Sequence, residues 1–338
     1  MVYGAIDLHM QYSQIRIVDG AGAVVRDQRV LTSRERLVKA VDGVGPMRIV
    51  VETGTESEWV AQTLEAAGHQ VIVVDPNYAP MYGERQRRVK TDRRDVAALA
   101  EANRRGWYRA AHRTSPTQRV TRQVLRARRQ VVQMRSGAVA LVRSLLKQDG
   151  YRLPRCGAER VPARLTQLEL PEALRTILRP LVRMIETATT EIATLDQQLE
   201  ARAAVDPIVS RLRTVPGVGL VVAMTFRALI DDAGRFRHAG QVSAALGLVP
   251  REDSSAERRH RGHITKVGSR ELRSLLVQAA WACWRSTQSA TLRAWAEQLA
   301  ARRGRRIAVV ALARRLSRLL YALWRDGTTF NAAKLAAA

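Results

Sequence analysis

Five short apolar runs occupy the first quarter of the chain, and their order restricts the fold more than any other feature. Val2, Tyr3, Ala5 and Ile6 run into Asp7; Gln14–Val18 alternates; a turn at Asp19-Gly20-Ala21-Gly22 leads into a third alternating run, Ala23–Leu31. Arg48-Ile49-Val50-Val51 is compact and ends at Glu52, and Gln70–Val74 is closed by Asp75-Pro76. Alternation marks strands with one covered face, and compact apolar runs mark strands covered on both. Helical spacing fills 33–43, 56–68, 77–86 and 93–104. The order βββαβαβα therefore predicts an α/β domain whose central strands are sandwiched by helices.

Acids stand at the ends of these elements. In Lys90-Thr91-Asp92-Arg93-Arg94-Asp95, two carboxylates lie three residues apart before an apolar helical pattern, Val96, Ala97, Leu99 and Ala100. Positions i and i+3 share a helix face, and a helix start favours acids through its dipole. Singly, such residues are ordinary: Asp92 and Asp95 suit a capped first turn, and Asp7 and Glu52 suit strand-end turns. Jointly they say more. Four carboxylates brought together need compensating positive charge. Hard divalent cations are the usual source, and two ions about 3.5–4 Å apart serve phosphodiester chemistry.

The charge balance names the partner class. Of 338 residues, 56 are Lys or Arg and 31 Asp or Glu, a formal net charge of +25. That excess suits a polyanion such as DNA or RNA. No uncharged apolar run is long enough to span a bilayer, and Met1–Asp7 does not read as a secretory leader. The two cysteines, Cys156 and Cys283, lie far apart and match neither a metal spacing nor a disulfide framework. The expectation is a cytoplasmic, nucleoid-associated protein with no membrane partner.

Residues 115–205 change character. Arg119, Arg122, Arg126, Arg128, Arg129, Arg135 and Arg143 interleave with Val120, Leu125, Val131, Val132, Leu141, Leu145 and Leu146. A break at 150–162 and a second helical stretch at 168–203 predict a helical hairpin or coiled coil. Its arginine face could hold nucleic acid, dimerise the protein or simply be solvated. Past Asp206, the turn Thr214-Val215-Pro216-Gly217-Val218-Gly219 resembles a helix-hairpin-helix, in which Gly217 and Gly219, beside Pro216, would let backbone N–H groups approach a DNA phosphate. A plain tight turn is the alternative. Further on, Ser254 and Ser255 lie in a loop with Arg258, Arg259, Arg261 and Lys266. A serine nucleophile needs a base or metal plus cationic support, although composition alone makes this an ordinary solvated loop. His260 and His263 lack further ligands for zinc. Two or three amphipathic helices complete the chain from Arg270 to Trp324. Trp281, Trp284 and Trp295 read as packing residues. Arg302-Arg303-Gly304-Arg305-Arg306 reads as a phosphate contact, and the alanine-rich tail 331–338 is expected to lack fixed structure.

Two motif sets carry a family resemblance. Gly4-Ala5-Ile6-Asp7, Val50-Val51-Glu52-Thr53-Gly54 and Lys90-Thr91-Asp92-x-x-Asp95 resemble the acidic tetrad of DEDD-type insertion-sequence transposases of the "one-ten" family. Gly247-Leu248-Val249-Pro250, the step to Ser255, and Gly262-x-Ile264-Thr265-Lys266-x-Gly268 resemble that family's C-terminal signature. The resemblance implies a RuvC-like, ribonuclease-H-type domain at 1–114, a coiled coil used in assembly at 115–205, and a C-terminal transposase domain at 206–330. It implies that Asp7, Glu52, Asp92 and Asp95 bind Mg2+, two ions in number, and that Ser255 is the nucleophile. Ser254 occupies the preceding place, which leaves a one-residue ambiguity, and Ala256 stands where the family often has glycine. The implied partners are element-end and target DNA, a bridge RNA that guides recombination, and further copies of the chain as a dimer or tetramer. Two other classes remain open on the residues alone: a metal-dependent junction nuclease that ignores the serine, and a non-catalytic nucleic-acid-binding protein.

Overall fold

The computed structural model describes residues 1–78, 91–255 and 258–333, with side chains throughout except at 253–255 and 258–261. It contains two compact units, Met1–Thr114 and Ser115–Ala338. Beyond its first two residues, the helix expected at 77–86 lies outside the described residues, as does the tail from 334.

The first unit is an α/β sandwich. Its strands are β1 (Tyr3–Leu8), β2 (Tyr12–Val18), β3 (Val24–Leu31), β4 (Arg48–Glu52) and β5 (Gln70–Val74), in spatial order β3-β2-β1-β4-β5. β1 pairs antiparallel with β2 and parallel with β4, and β4 pairs parallel with β5. Side-chain alternation then sorts residues between two cores. Ile6, Ile49 and Val51 face α1 (Arg34–Val41) and α2 (Ser57–Ala66), where Leu37 and Leu64 are fully buried. Ala5 and Val50 face α3 (Asp92–Arg105), against Val96, Leu99 and Ala100. Each fully buried Val, Leu or Ile side chain here contributes about 1.5–3 kcal/mol.

α3 starts where Thr91 caps it, its side chain accepting from Arg94 N. It ends at Gly106, in the left-handed region at φ 70°. A polar clamp fixes its far end. Fully buried Asn103 donates through Nδ2 to the carbonyls of Gly4 and Arg48, 2.8 Å each, while Arg48 Nε donates to Asn103 Oδ1 at 2.8 Å.

The second unit is largely helical, as its sequence periodicity predicts. α4 (Pro116–Gln148) and α6 (Glu172–Ala204) are each 33 residues long. They run antiparallel, because Arg128 pairs with Asp196 and Arg135 donates to Thr189. Short α5 (Val161–Leu165) joins their apolar seam around Val142, Leu146 and Ile185. Leu125 and Leu199 belong to the same core as α7 (Pro207–Leu212), α8 (Leu220–Ile230), α9 (Ala239–Ala245), α10 (Arg270–Arg285), α11 (Ala290–Arg303) and α12 (Arg305–Arg325).

One segment departs from expectation. Residues 250–264, read from sequence as a loop, form a two-stranded antiparallel sheet of β6 (Pro250–Ser255) and β7 (Arg258–Ile264). The stretch has no apolar alternation to signal strands; of its apolar residues, Ile264 at the end of β7 packs against the C-terminal core. Backbone pairing across the two strands defines it.

Candidate active site

Strand register brings the N-terminal acids to one end of one face. Asp7 follows Ala5 by two residues and Glu52 follows Val50 by two, so both lie on the α3 side of the sheet. Glu52 stands one step beyond the Ile6–Val51 pair, beside Asp7. The N-terminus of α3 supplies Asp92 and Asp95 to the same region. Burial raises the Asp7 carboxyl above the ordinary carboxylate range; His9 opposes that shift, and the charges of Asp92 and Asp95 add to it. Asp7, Asp92 and Asp95 are thus electrostatically coupled.

At the centre is a residue that sequence reasoning missed. His9 Nε2 lies 3.3 Å from Asp7 Oδ2 and 3.4 Å from Asp92 Oδ1. One donor atom from each of Asp7, His9 and Asp92 falls within 4.8 Å of the others. Among the described residues, Glu52 and Asp95 lie outside that tight group. The missed signal was simple: His9 stands two residues after Asp7. Asn103 was missed too, and it clamps the helix bearing Asp92 and Asp95 to the strands bearing Asp7 and Glu52.

The donors suit a hard divalent ion. Asp7 and Asp92 supply anionic oxygens, the usual ligands of Mg2+ and Mn2+. Coupled carboxylates with one partly buried member are an arrangement that a cation relieves.

The C-terminal signature is organised around its glycines. Gly247 (φ 66°) and Gly268 (φ 73°) occupy the left-handed region, and a Cβ on either would meet backbone at 2.3 Å (Val267 O) or 2.0 Å (Ala245 O). Only glycine allows the chain before β6 and the chain after β7 to touch so closely. Lys266 N donates to Gly247 O at 3.1 Å, and Thr265 N to Val249 O at 2.9 Å. Arg273 on α10 closes the joint, with Nη1 within 3.2 Å of the carbonyls of Leu246, Val267 and Gly268. Ser255 is the last residue of β6 and pairs with Arg258; Ser254 pairs with Arg259. The side chains of Ser254, Ser255, Arg258, Arg259 and Arg261 lie outside the described residues. Lys266 is exposed, with a left-handed backbone at φ 58°.

The turn at 214–219 has an internal reason for its glycine. Pro216 is buried, and a Cβ on Gly217 (φ 84°) would meet the α10 backbone at Ala279 O, 2.5 Å, and Cys283 N, 2.6 Å. Gly219 is exposed at the start of α8, which has no side-chain cap.

Most of the arginine stripe on α4 is engaged within the protein. Arg122 donates to the carbonyls of Ala228 and Leu229, Arg128 pairs with Asp196, and Arg129 pairs with Glu271. Arg135 donates to Thr189, and Arg143 to Leu153 O. Arg126 is exposed, as are Arg302, Arg303, Arg305 and Arg306. Trp281 and Trp284 stack on each other with Arg305 over both rings. Cys156 and Cys283 are free thiols. Among the described residues, no helix is long and apolar enough to cross a membrane.

Comparison with known proteins follows the same two blocks. Residues 5–149 match a transposase family model of the DEDD, IS110 type, and residues 209–295 match the transposase IS116/IS110/IS902 family. A protein of Pseudomonas aeruginosa described as a probable family 20 transposase is 30% identical over 335 residues, covering 96% of this chain and 97% of that one. The transposase for insertion sequence element IS1111A of Coxiella burnetii is 28% identical, covering 96% and 90%. The transposase for insertion sequence element IS1328 of Yersinia enterocolitica is 26% identical over 303 residues, covering 88% and 90%. With both family models matched in chain order and a relative aligned from end to end, this chain belongs to the IS110 family of DEDD transposases, enzymes that act on DNA to move insertion sequences.

Proposed function

We propose that this transposase cuts and rejoins DNA through a serine nucleophile supported by divalent cations at its acid cluster. The observation that carries the reading is the meeting of Asp92 with Asp7, on the sheet face and strand end shared by Glu52. Asp7, Glu52, Asp92 and Asp95 are the proposed ligands, with Mg2+ as the ordinary ion and two ions as the full complement. Bound there, such ions would neutralise the phosphate and stabilise charge on the attacking and leaving oxygens. The sheet order β3-β2-β1-β4-β5, antiparallel then parallel, supports a RuvC-like, ribonuclease-H-type assignment for 1–114.

The Ser255 hydroxyl oxygen attacks the DNA phosphorus. The bond from phosphorus to one deoxyribose oxygen breaks, and that oxygen leaves as a hydroxyl, taking up a proton. The phosphoserine bond keeps the energy of the broken ester, so attack by a second DNA hydroxyl rejoins strands and frees the serine without ATP. Arg258, Arg259, Arg261 and Lys266 support the phosphate. Pro216, Gly217 and Gly219, as a helix-hairpin-helix turn, position DNA through Gly219 and the open start of α8. Residues 115–205 form the assembly element of a dimer or tetramer, and 206–330 the serine-bearing domain. Target choice by base pairing with a bridge RNA carries over from the family resemblance, and it leaves the protein to read backbone and shape.

A covalent-adduct assay tests this. The protein is expressed with its native flanking DNA, so that any guide RNA is made, then mixed with element-end DNA and Mg2+ and run on a denaturing gel. A protein–DNA band that vanishes with Ser255→Ala and with Asp92→Ala is the expected result. If Ser254→Ala abolishes the band and Ser255→Ala does not, the nucleophile moves by one residue. Cleavage without an adduct, indifferent to Ser255→Ala, would leave a metal-dependent nuclease.

A further inference from the structure

His9 is unused by a four-carboxylate site, yet it stands between two of the four. Its Nε2 is 3.3 Å from Asp7 Oδ2 and 3.4 Å from Asp92 Oδ1. A hydrogen bond from His9 to Asp7 accounts for one of these approaches and leaves the other, to Asp92, without one. Nε2 carries at most one hydrogen and can donate it well to one carboxylate only. Both distances also exceed the roughly 2.7–2.9 Å of charge-assisted N–H···O bonds. Coordination accounts for both approaches better. Two donors at right angles about an ion with bonds of about 2.1–2.2 Å stand about 3 Å apart. The His9 side chain is 51% exposed, so it meets incoming ions without rearrangement of the core.

We propose that His9 is a nitrogen ligand of the ion held by Asp7 and Asp92, and that it tilts this site toward manganese over magnesium. The proposal rests on the acid cluster holding a divalent cation. Mg2+ takes oxygen ligands almost exclusively, whereas Mn2+, a first-row transition ion of the same charge, accepts imidazole nitrogen as well. A site with one imidazole among carboxylates therefore gains affinity for Mn2+ that a site with carboxylates alone lacks. The strand supplies the ligand pair cheaply, because Asp7 and His9 are two residues apart at the end of β1.

The test uses the full chain without DNA. Mn2+ binding is followed by paramagnetic resonance of the free ion, Mg2+ binding by competition, and nitrogen coordination by electron-spin-echo modulation from 14N. Wild type should show 14N modulation. His9→Ala should lose it and weaken Mn2+ binding by about 10- to 100-fold, with less than about 3-fold change for Mg2+. His9→Gln, which keeps reach but offers an amide oxygen, should also lose the modulation and recover part of the affinity. Matching thermal melts confirm that the variants fold. If Asp92→Asn abolishes Mn2+ binding while His9→Ala keeps both affinity and modulation, the His9 assignment falls and the acid site stands. If Asp7→Asn and Asp92→Asn both bind like wild type, the acid-site reading falls and the proposal with it.

Discussion

Asp7 lies next to last in a strand that has a neighbour on each side, β2 and β4, and a hydrophobic core against each face. Ser255 ends a strand that has one neighbour, β7. Asp7 is placed by everything around it: register, two layers of aliphatic packing and the Asn103 clamp. Among the described contacts, the hairpin that carries Ser255 is held by its own pairing with β7 and at its root, through Gly247, Gly268 and Arg273. Rigid packing suits residues that must hold mutual geometry before substrate arrives. A hairpin fastened at its root suits a residue whose final position the substrate can help to define.

The largest expected effect tests the packed side. Asp92→Asn should lower adduct formation by about 10^3-fold or more. Its melting temperature should scarcely change, since the Asp92 side chain is exposed and its loss relieves repulsion with Asp7. A drop in stability instead would mean that the acid is structural. Gly268→Ala probes the root of the hairpin. Its Cβ has no room and its φ is positive, so a cost of about 2–4 kcal/mol is expected, read as a lower urea midpoint. A neutral outcome would show that the root yields, and the contrast between the two regions would fail. Asn103→Ala should cost about 1–3 kcal/mol, because buried carbonyls lose their donor, measured on the isolated melting transition of the N-terminal unit by hydrogen exchange. Arg273→Ala should cost about 1 kcal/mol in stability but reduce adduct yield further than Gly219→Ala does. Arg213→Ala, which removes an exposed pair with Glu200, should stay within about 1 kcal/mol, and it sets the baseline for the others.

The sheet was legible because its strands carry their own signal: alternation in β2 and β3, compact apolar runs in β4 and β5. That Asp7 and Glu52 fall on the α3 side of the sheet can be counted from the sequence, since Ala5 and Asp7 share a face, as do Val50 and Glu52; the approach of Asp92 to Asp7 cannot. His9 was equally countable but was passed over, because its partner Asp92 comes from another element. The β6–β7 hairpin was not legible. Its residues are mostly polar, and the glycines that pin it act through contacts between positions far apart in sequence, Gly247 with Val267 and Gly268 with Ala245. The internal partners of the α4 arginines were not legible for the same reason. The partners of Arg122, Arg128 and Arg129 lie at Ala228, Asp196 and Glu271, and helical periodicity cannot reveal who waits across the seam.

The hairpin also has a mechanical consequence. From Pro250 to Ser255 the strand extends about 17 Å at roughly 3.4 Å per residue. The root at Gly247 and Gly268 is where its direction is set. A rotation of about 10° at that root sweeps the tip through about 3 Å, the whole gap between a nucleophile in line and one out of reach. If Ser255 is the nucleophile proposed above, a small change of torsion at the two root glycines would be enough to bring it into line or take it out of line.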